Sequence, residues 1–313
     1  MSLKNFLILV EIKTKIASLF PFLIGTLFVY YRYDTFQPLN TAIFFFGMLI
    51  FDLTTTAINN YMDYKKAATD EYRKTVNIIG RENLSEKLVV AIILTMLTIA
   101  TALGIWLVFR TDLLVLLIGM VCFGIGIFYT FGPIPLSRMP LGEIFSGLTM
   151  GFGILFLTVY INAFDQDIAN ILWEGSNINI HLDIIKLLEI LLVSLPCIFT
   201  IANIMLANNI CDLEDDIKNN RFTLTYYIGK RNSVILFNAL YILSFVAIIA
   251  AVMLKLLPTI MLVTLIAIIP VYKQLAIFNH KQVKSETFNV SLKNFVIVNG
   301  SLFIALALSV IIW

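Results

Sequence analysis

The chain has 313 residues, of which 59% are hydrophobic and only 13% charged, and its mean hydropathy is +0.91. Soluble domains carry about 25% charge, so a soluble fold is excluded, and a net charge of +2 is too small to draw nucleic acid. The apolar residues come in runs near the roughly 20 residues of a membrane-crossing helix, not in the alternating segments of about ten that build a membrane barrel.

In chain order, MSLKNFLILVEIKTKIASLF opens with a short apolar stretch, then Glu11, Lys13 and Lys15. No small-residue cleavage site stands out, so no removable signal peptide is expected. Nine spans are predicted, at 16–32, 39–62, 88–109, 112–131, 141–163, 186–210, 232–254, 256–278 and 294–313. The expected fold is all-α: one integral membrane domain over 1–313, a polytopic bundle with two Asp-rich loops. Pro21, Pro196, Pro258 and Pro270 fall in or near spans, where neighbouring helices re-satisfy the backbone.

Threading these spans with the N-terminus inside leaves only Arg32, Arg110, Lys186 and Lys255 on the outer side. All other Lys and Arg fall inside, which fits the positive-inside rule. The expected location is therefore the cytoplasmic (inner) membrane, multi-pass, with a cytoplasmic N-terminus and both Asp-rich loops facing the cytoplasm. The longest outer loop, FDQDIANILWEGSNINIHLD, is acidic. Cys122, Cys197 and Cys211 form no C-x-x-C pair and read as packing residues.

Two polar clusters end apolar runs, NNYMDY from Asn59 and NNICDL from Asn208. Asn59 and Asp63 are four apart and share one helix face, and Asn208, Asp212 and Asp216 repeat that spacing. The two copies lie in matched register, which makes a weak repeat of 39–87 and 186–231. A single polar span end is an ordinary loop junction. Two matched carboxylate stripes need a cation, and oxygen-only ligands suit Mg²⁺ with phosphate oxygens and water. His181 and His280 belong to no cluster, so zinc, haem and copper are poorly supported. Basic residues follow each cluster: Lys65, Lys66, Arg73 and Lys74, then Lys218 and Arg221. Metal rimmed by cations suits a diphosphate, whose charge grows as it departs. The residues thus point to a lipid-soluble diphosphate held near the cytoplasmic face.

These segments resemble the UbiA superfamily of intramembrane prenyltransferases, whose nine helices surround a central cavity. NNYMDYKKAATD is similar to its first motif and NNICDLEDDIKNNRFTLTYYIGK to its second. YTFGPIPLSRMPLGE, Tyr129 to Glu143, resembles a segment of the menaquinone branch, the 1,4-dihydroxy-2-naphthoate polyprenyltransferases. Asn60 stands where the family usually has Asp, and Cys211 where the branch often has Arg. The resemblance implies metal ligands at Asn59, Asp63, Asp70, Asn208, Asp212 and Asp216, with Asp63, Asp212 and Asp216 catalytic. It implies diphosphate contacts from Lys13, Lys66, Arg73, Tyr129, Lys218 and Arg221, and acceptor contacts from Asn60 and Glu143.

The implied reaction is Mg²⁺-dependent transfer of a polyprenyl group from an allylic polyprenyl diphosphate to 1,4-dihydroxy-2-naphthoate, in menaquinone biosynthesis. Partners are those two substrates and the lipid bilayer. Other quinone precursors or a glycerol-phosphate lipid are the alternatives within the family. A secondary transporter is the alternative outside it, since transporters bind ions at repeat interfaces. The clusters argue against transport, because they sit at span ends and run in the same direction.

Overall fold

The computed structural model describes residues 1–67, 71–128, 136–174 and 177–312. These are helical apart from one two-stranded hairpin. Eight helical segments are long and apolar enough to cross a membrane: Ile12–Tyr33, Pro38–Lys65, Glu86–Arg110, Gly142–Asn162, Ile184–Cys211, Leu224–Met253, Thr259–His280 and Lys284–Ile312. The expected span at 112–131 is a shorter apolar helix, Leu113–Phe128, and its last expected residues lie outside the described chain. The final span begins earlier than expected, because the turn Lys284–Thr287 leads straight into it.

Contacts divide the chain into two compact units, 1–19 with 38–135 and 20–37 with 136–313. In the first, α1 (Leu3–Leu9), a 3₁₀ turn (Ile12–Lys15) and the start of α2 (Ile16–Tyr33) precede α3 (Pro38–Lys65). A short α4 (Ile78–Arg81), α5 (Glu86–Arg110) and α6 (Leu113–Phe128) follow. Its core joins Leu9 and Val10 to Ala57, Ile78, Ile79, Val89 and Ile93. Burying each such side chain contributes about 1.5–3 kcal/mol in water, but lipid offers no such drive between spans, where packing takes over. Phe51 of α3 and Phe123 of α6 stack at 4.2 Å.

The second unit holds α7 (Gly142–Ser146), a π-helical stretch (Gly147–Gly153) and α8 (Ile154–Asn162), which together make one span. Then come β1 (Ala169–Glu174), β2 (Asn177–Leu182), α9 (Ile184–Cys211) and α10 (Leu213–Lys218). The chain closes with α11 (Leu224–Met253), a 3₁₀ stretch (Thr259–Ala267), α12 (Ile268–His280), α13 (Lys284–Thr287) and α14 (Asn289–Ile312). The long outer loop expected after the fifth span is therefore partly a hairpin, with Ala169 opposite Leu182 and Glu174 opposite Asn177. Tyr160 donates to the Ala169 carbonyl at 2.8 Å and fastens it. Gly229 has φ 79°, which breaks α11 near its start; a residue with a β-carbon resists that conformation.

Helix α9 is the hub of this unit, packing against the α7–α8 span, α11 and α14. Small residues let spans approach where lipid supplies no hydrophobic drive. A β-carbon on Gly151 would lie 2.6 Å from the Ile198 backbone nitrogen and Cα, and one on Gly147 would lie 2.9 Å from the Ile198 carbonyl oxygen. Gly151→Ala is therefore expected to destabilise the protein by about 1–3 kcal/mol. Unfolding in mixed detergent micelles measures this, and an unchanged transition would refute the close approach.

Candidate functional site

In the first unit the polar cluster ends α3. Asn59 and Asn60 are half-buried and Asp63 is exposed. Asn60 is spent partly on the fold: its amide donates to the Leu9 carbonyl at 2.9 Å and to Glu11 Oε1 at 3.3 Å. Its own carbonyl accepts from Asn77 Nδ2 at 2.9 Å, while Asn77 Oδ1 caps α4 through the Ile79 N–H. The cluster is thus braced on both sides, by α1 and by α4. Arg73 lies over the Tyr64 ring, 6.0 Å from its centroid. Lys13 and Lys66 are exposed. Asp70 and Tyr129 lie outside the described residues.

A group that span-end reasoning passes over sits deeper in α3. Lys15 is 6% exposed. Its Nζ bonds to Asp52 Oδ1 at 2.7 Å, the Asp52 carbonyl at 3.0 Å and Thr56 Oγ1 at 2.5 Å. Ser18 Oγ donates to Asp52 Oδ2 at 2.8 Å. Three acceptors saturate the ammonium and both carboxylate oxygens are bonded, so this is a clamp between α3 and the start of α2. Its signal is an aspartate in the middle of an apolar run, where ionisable groups need a partner.

In the second unit Asp212 ends α9 and opens α10. Its backbone N–H donates to the Asn208 carbonyl at 2.9 Å, and Asp216 N–H donates to the Asp212 carbonyl at 2.8 Å. Helical geometry therefore continues through the break and keeps Asn208, Asp212 and Asp216 in succession. Asp216 is 4% exposed, and its Oδ2 is buried without a partner among the described residues. Its Oδ1 faces Arg221 Nε at 3.4 Å, and the Arg221 N–H closes the turn onto the Asp216 carbonyl. Burial raises the Asp216 carboxyl above the usual carboxylate range; the positive charge of Arg221 opposes this and the negative charge of Asp212 adds to it.

Lys284, from the turn before the last helix, bonds Asp212 Oδ2. Nothing in the local sequence marks it, since the two residues are far apart in the chain. Lys218 instead pairs with exposed Asp215 at 3.4 Å and points away from Asp216. Glu143 is buried and accepts from Asn209 Nδ2 at 2.8 Å.

No three His, Cys, Asp or Glu side chains converge as a metal cage among the described residues. Mg²⁺ does not require one, because it is bound through one or two carboxylates plus phosphate oxygens and water. The orphaned, buried Asp216 oxygen beside Asp212 fits such a partial ligand set.

Residues 18–308 match the family model described as the UbiA prenyltransferase family. The chain is 29% identical over 234 residues to a 1,4-dihydroxy-2-naphthoate octaprenyltransferase of Bacillus subtilis, covering 74% of this chain and 68% of that protein. Its fold is similar to that of a UbiA homologue from Aeropyrum pernix, with TM-score 0.69, 18% identity and coverage of 93% and 98% of the two chains. It is also similar to a UbiA homologue from Archaeoglobus fulgidus bound to GPP and Mg²⁺, with TM-score 0.66, 14% identity and coverage of 99% and 100%.

Proposed function

Because the chain belongs to the UbiA prenyltransferase family, we propose that it transfers a polyprenyl group from an allylic polyprenyl diphosphate to 1,4-dihydroxy-2-naphthoate, in menaquinone biosynthesis. The observation that carries this is the pair of Asn- and Asp-bearing helix ends, each closing a membrane span. The acceptor rests on the Bacillus relative and on the segment between Tyr129 and Glu143.

Asn59, Asp63, Asp70, Asn208, Asp212 and Asp216 are assigned to Mg²⁺, and Asp63, Asp212 and Asp216 matter most to catalysis. When bound, the metal neutralises the diphosphate and stabilises it as a leaving group. Arg221, held by Asp216, shares that charge. Lys13, Lys66, Arg73, Tyr129 and Lys218 are assigned to the same diphosphate. Asn60 and Glu143 are assigned to the acceptor side, with the Asn60 amide nitrogen already committed to Leu9. The apolar spans keep water from the allylic carbon once its bond to oxygen weakens. The membrane is the cytoplasmic one, with the N-terminus and the site on the cytoplasmic side.

Product analysis by mass spectrometry tests the reading. Purified protein in nanodiscs receives one polyprenyl diphosphate with several aromatic acceptors and, separately, glycerol 1-phosphate. Prenylated, decarboxylated naphthoquinol is expected; a product from another acceptor alone would overturn the assignment.

A pH dependence follows from Asp216. Its raised carboxyl pKa means that the folded, metal-free protein holds this proton more tightly than the unfolded chain does. The ionised carboxylate therefore costs stability at neutral pH, and metal-free stability rises as pH falls through the raised pKa. A bound cation must displace the same proton. Thermal protection by Mg²⁺ is expected to fade on acidification while ordinary carboxylates are still ionised, and Asp216→Asn is expected to remove that limb. Melting curves with and without Mg²⁺ across pH check both.

A further inference from the structure

The pair made by Glu143 and Asn209 is buried and incompletely bonded. Asn209 is 0% exposed and Glu143 is 4% exposed. After their mutual hydrogen bond at 2.8 Å, Glu143 Oε2 and Asn209 Oδ1 remain, both sealed from solvent and both unpartnered among the described residues. Both oxygens are acceptors: an ionised carboxylate has no proton to give, and an amide oxygen only accepts. No Lys or Arg forms an ion pair with Glu143 among the described residues.

The two groups cannot relieve this by drifting apart. Glu143, Gly147 and Gly151 follow one another at four-residue steps. The two glycines lie so close to α9 at Ile198 that a β-carbon would strike its backbone. The close approach carries Glu143 against the same helix one turn before Gly147, where Asn209 meets it. The stretch between is π-helical, a geometry that recurs at functional sites.

Two converging acceptors in an apolar interior are built for a donor. We propose that Glu143 and Asn209 together receive a ring hydroxyl of the aromatic acceptor, and that Glu143 takes its proton as the ring attacks. This rests on the proposed prenyl transfer to an aromatic ring and adds Asn209, the hydroxyl and the proton's path. The hydroxyl O–H bond breaks and its proton passes to Glu143. The oxygen's electrons feed the new bond from ring carbon to allylic carbon. The allylic C–O bond breaks, and its electron pair leaves with the diphosphate. The resulting dienone then loses carbon dioxide, or a proton to water, from a ring carbon. Its oxygen recovers the proton from Glu143, and the ring is aromatic again. A carboxylate on the acceptor must point away from Glu143, because two buried negative charges repel.

The test compares wild type, Glu143→Gln, Glu143→Asp and Asn209→Ala in nanodiscs, with one polyprenyl diphosphate. The acceptors are 1,4-dihydroxy-2-naphthoate and its two mono-O-methyl ethers. Wild type is expected to reject one ether. Glu143→Gln is expected to lower acceptor kcat/KM by about 10²–10⁴-fold, to flatten the acidic limb of its pH profile and to lose the preference for hydroxyl over methyl ether. Glu143→Asp is expected to restore part of the rate. Binding of the prenyl diphosphate alone, measured by calorimetry, is expected to stay unchanged in all variants, which also reports that they fold. Intact transfer by Glu143→Gln with wild-type acceptor kcat/KM and pH profile would overturn the inference. Transfer by wild type to no aromatic ring at all is a different result, and would overturn the proposed function together with this inference.

Discussion

Asp212→Ala is expected to reduce prenyl transfer by at least about a thousandfold, as befits loss of a group that stabilises a departing diphosphate through metal. Asp212 joins two helices and takes the Lys284 ammonium on Oδ2. Alanine keeps the backbone bonds to Asn208 and Asp216, since these use main-chain atoms only. The fold should therefore survive while the carboxylate is lost. Asp215→Ala is the control: its side chain is 78% exposed and meets only Lys218, and exposed pairs are worth about 0–1 kcal/mol. Transfer of labelled prenyl groups in nanodiscs measures both. An Asp212→Ala enzyme within tenfold of wild type would remove Asp212 from the site.

The second large effect is on stability. Lys15→Met should cost about 3–5 kcal/mol, because it strands a buried carboxylate. The side chains of Lys15 and Asp52 are only 7% and 17% exposed. After the substitution Asp52 keeps Ser18 on one oxygen and nothing on the side Lys15 held. Water is not at hand inside a span to take its place. Lys15→Met combined with Asp52→Leu is expected to recover most of the loss, since a well-packed apolar pair often matches a buried ion pair. Unfolding in mixed micelles gives all three values. A single variant within about 1 kcal/mol of wild type, far below the cost of a stranded charge, would show that Asp52 finds another partner.

Much of this is legible because the membrane imposes simple rules. Apolar length marks the spans, and matched polar ends mark Asp63 and Asp212. What escapes has physical reasons. The hairpin at Ala169–Leu182 carries a period-two pattern in NINIHL, but six residues of alternation read equally well as polar loop. Lys284 meets Asp212 across a long stretch of chain, and spacing cannot reveal such a contact. Asn209 reads as the mere neighbour of Asn208, yet consecutive helical residues point about 100° apart, so its partner is Glu143. Asp52 is different, because the sequence does carry its signal. An aspartate between Phe51 and Leu53 in an apolar run demands a counterion, and Lys15 is the cation within reach.

The π-helical stretch Gly147–Gly153 bears on how this span can change length. Each π bond encloses one residue more than an α bond, so the stretch behaves as a one-residue insertion absorbed in place. Deleting a residue there would return the span to α geometry and turn everything before it by about 100° relative to α8. Leu155, Tyr160 and Asn162 could keep their seats while Glu143 swung off the Asn209 side of α9. The tolerated length of this span is therefore governed less by bilayer thickness than by the compass bearing of its first turn.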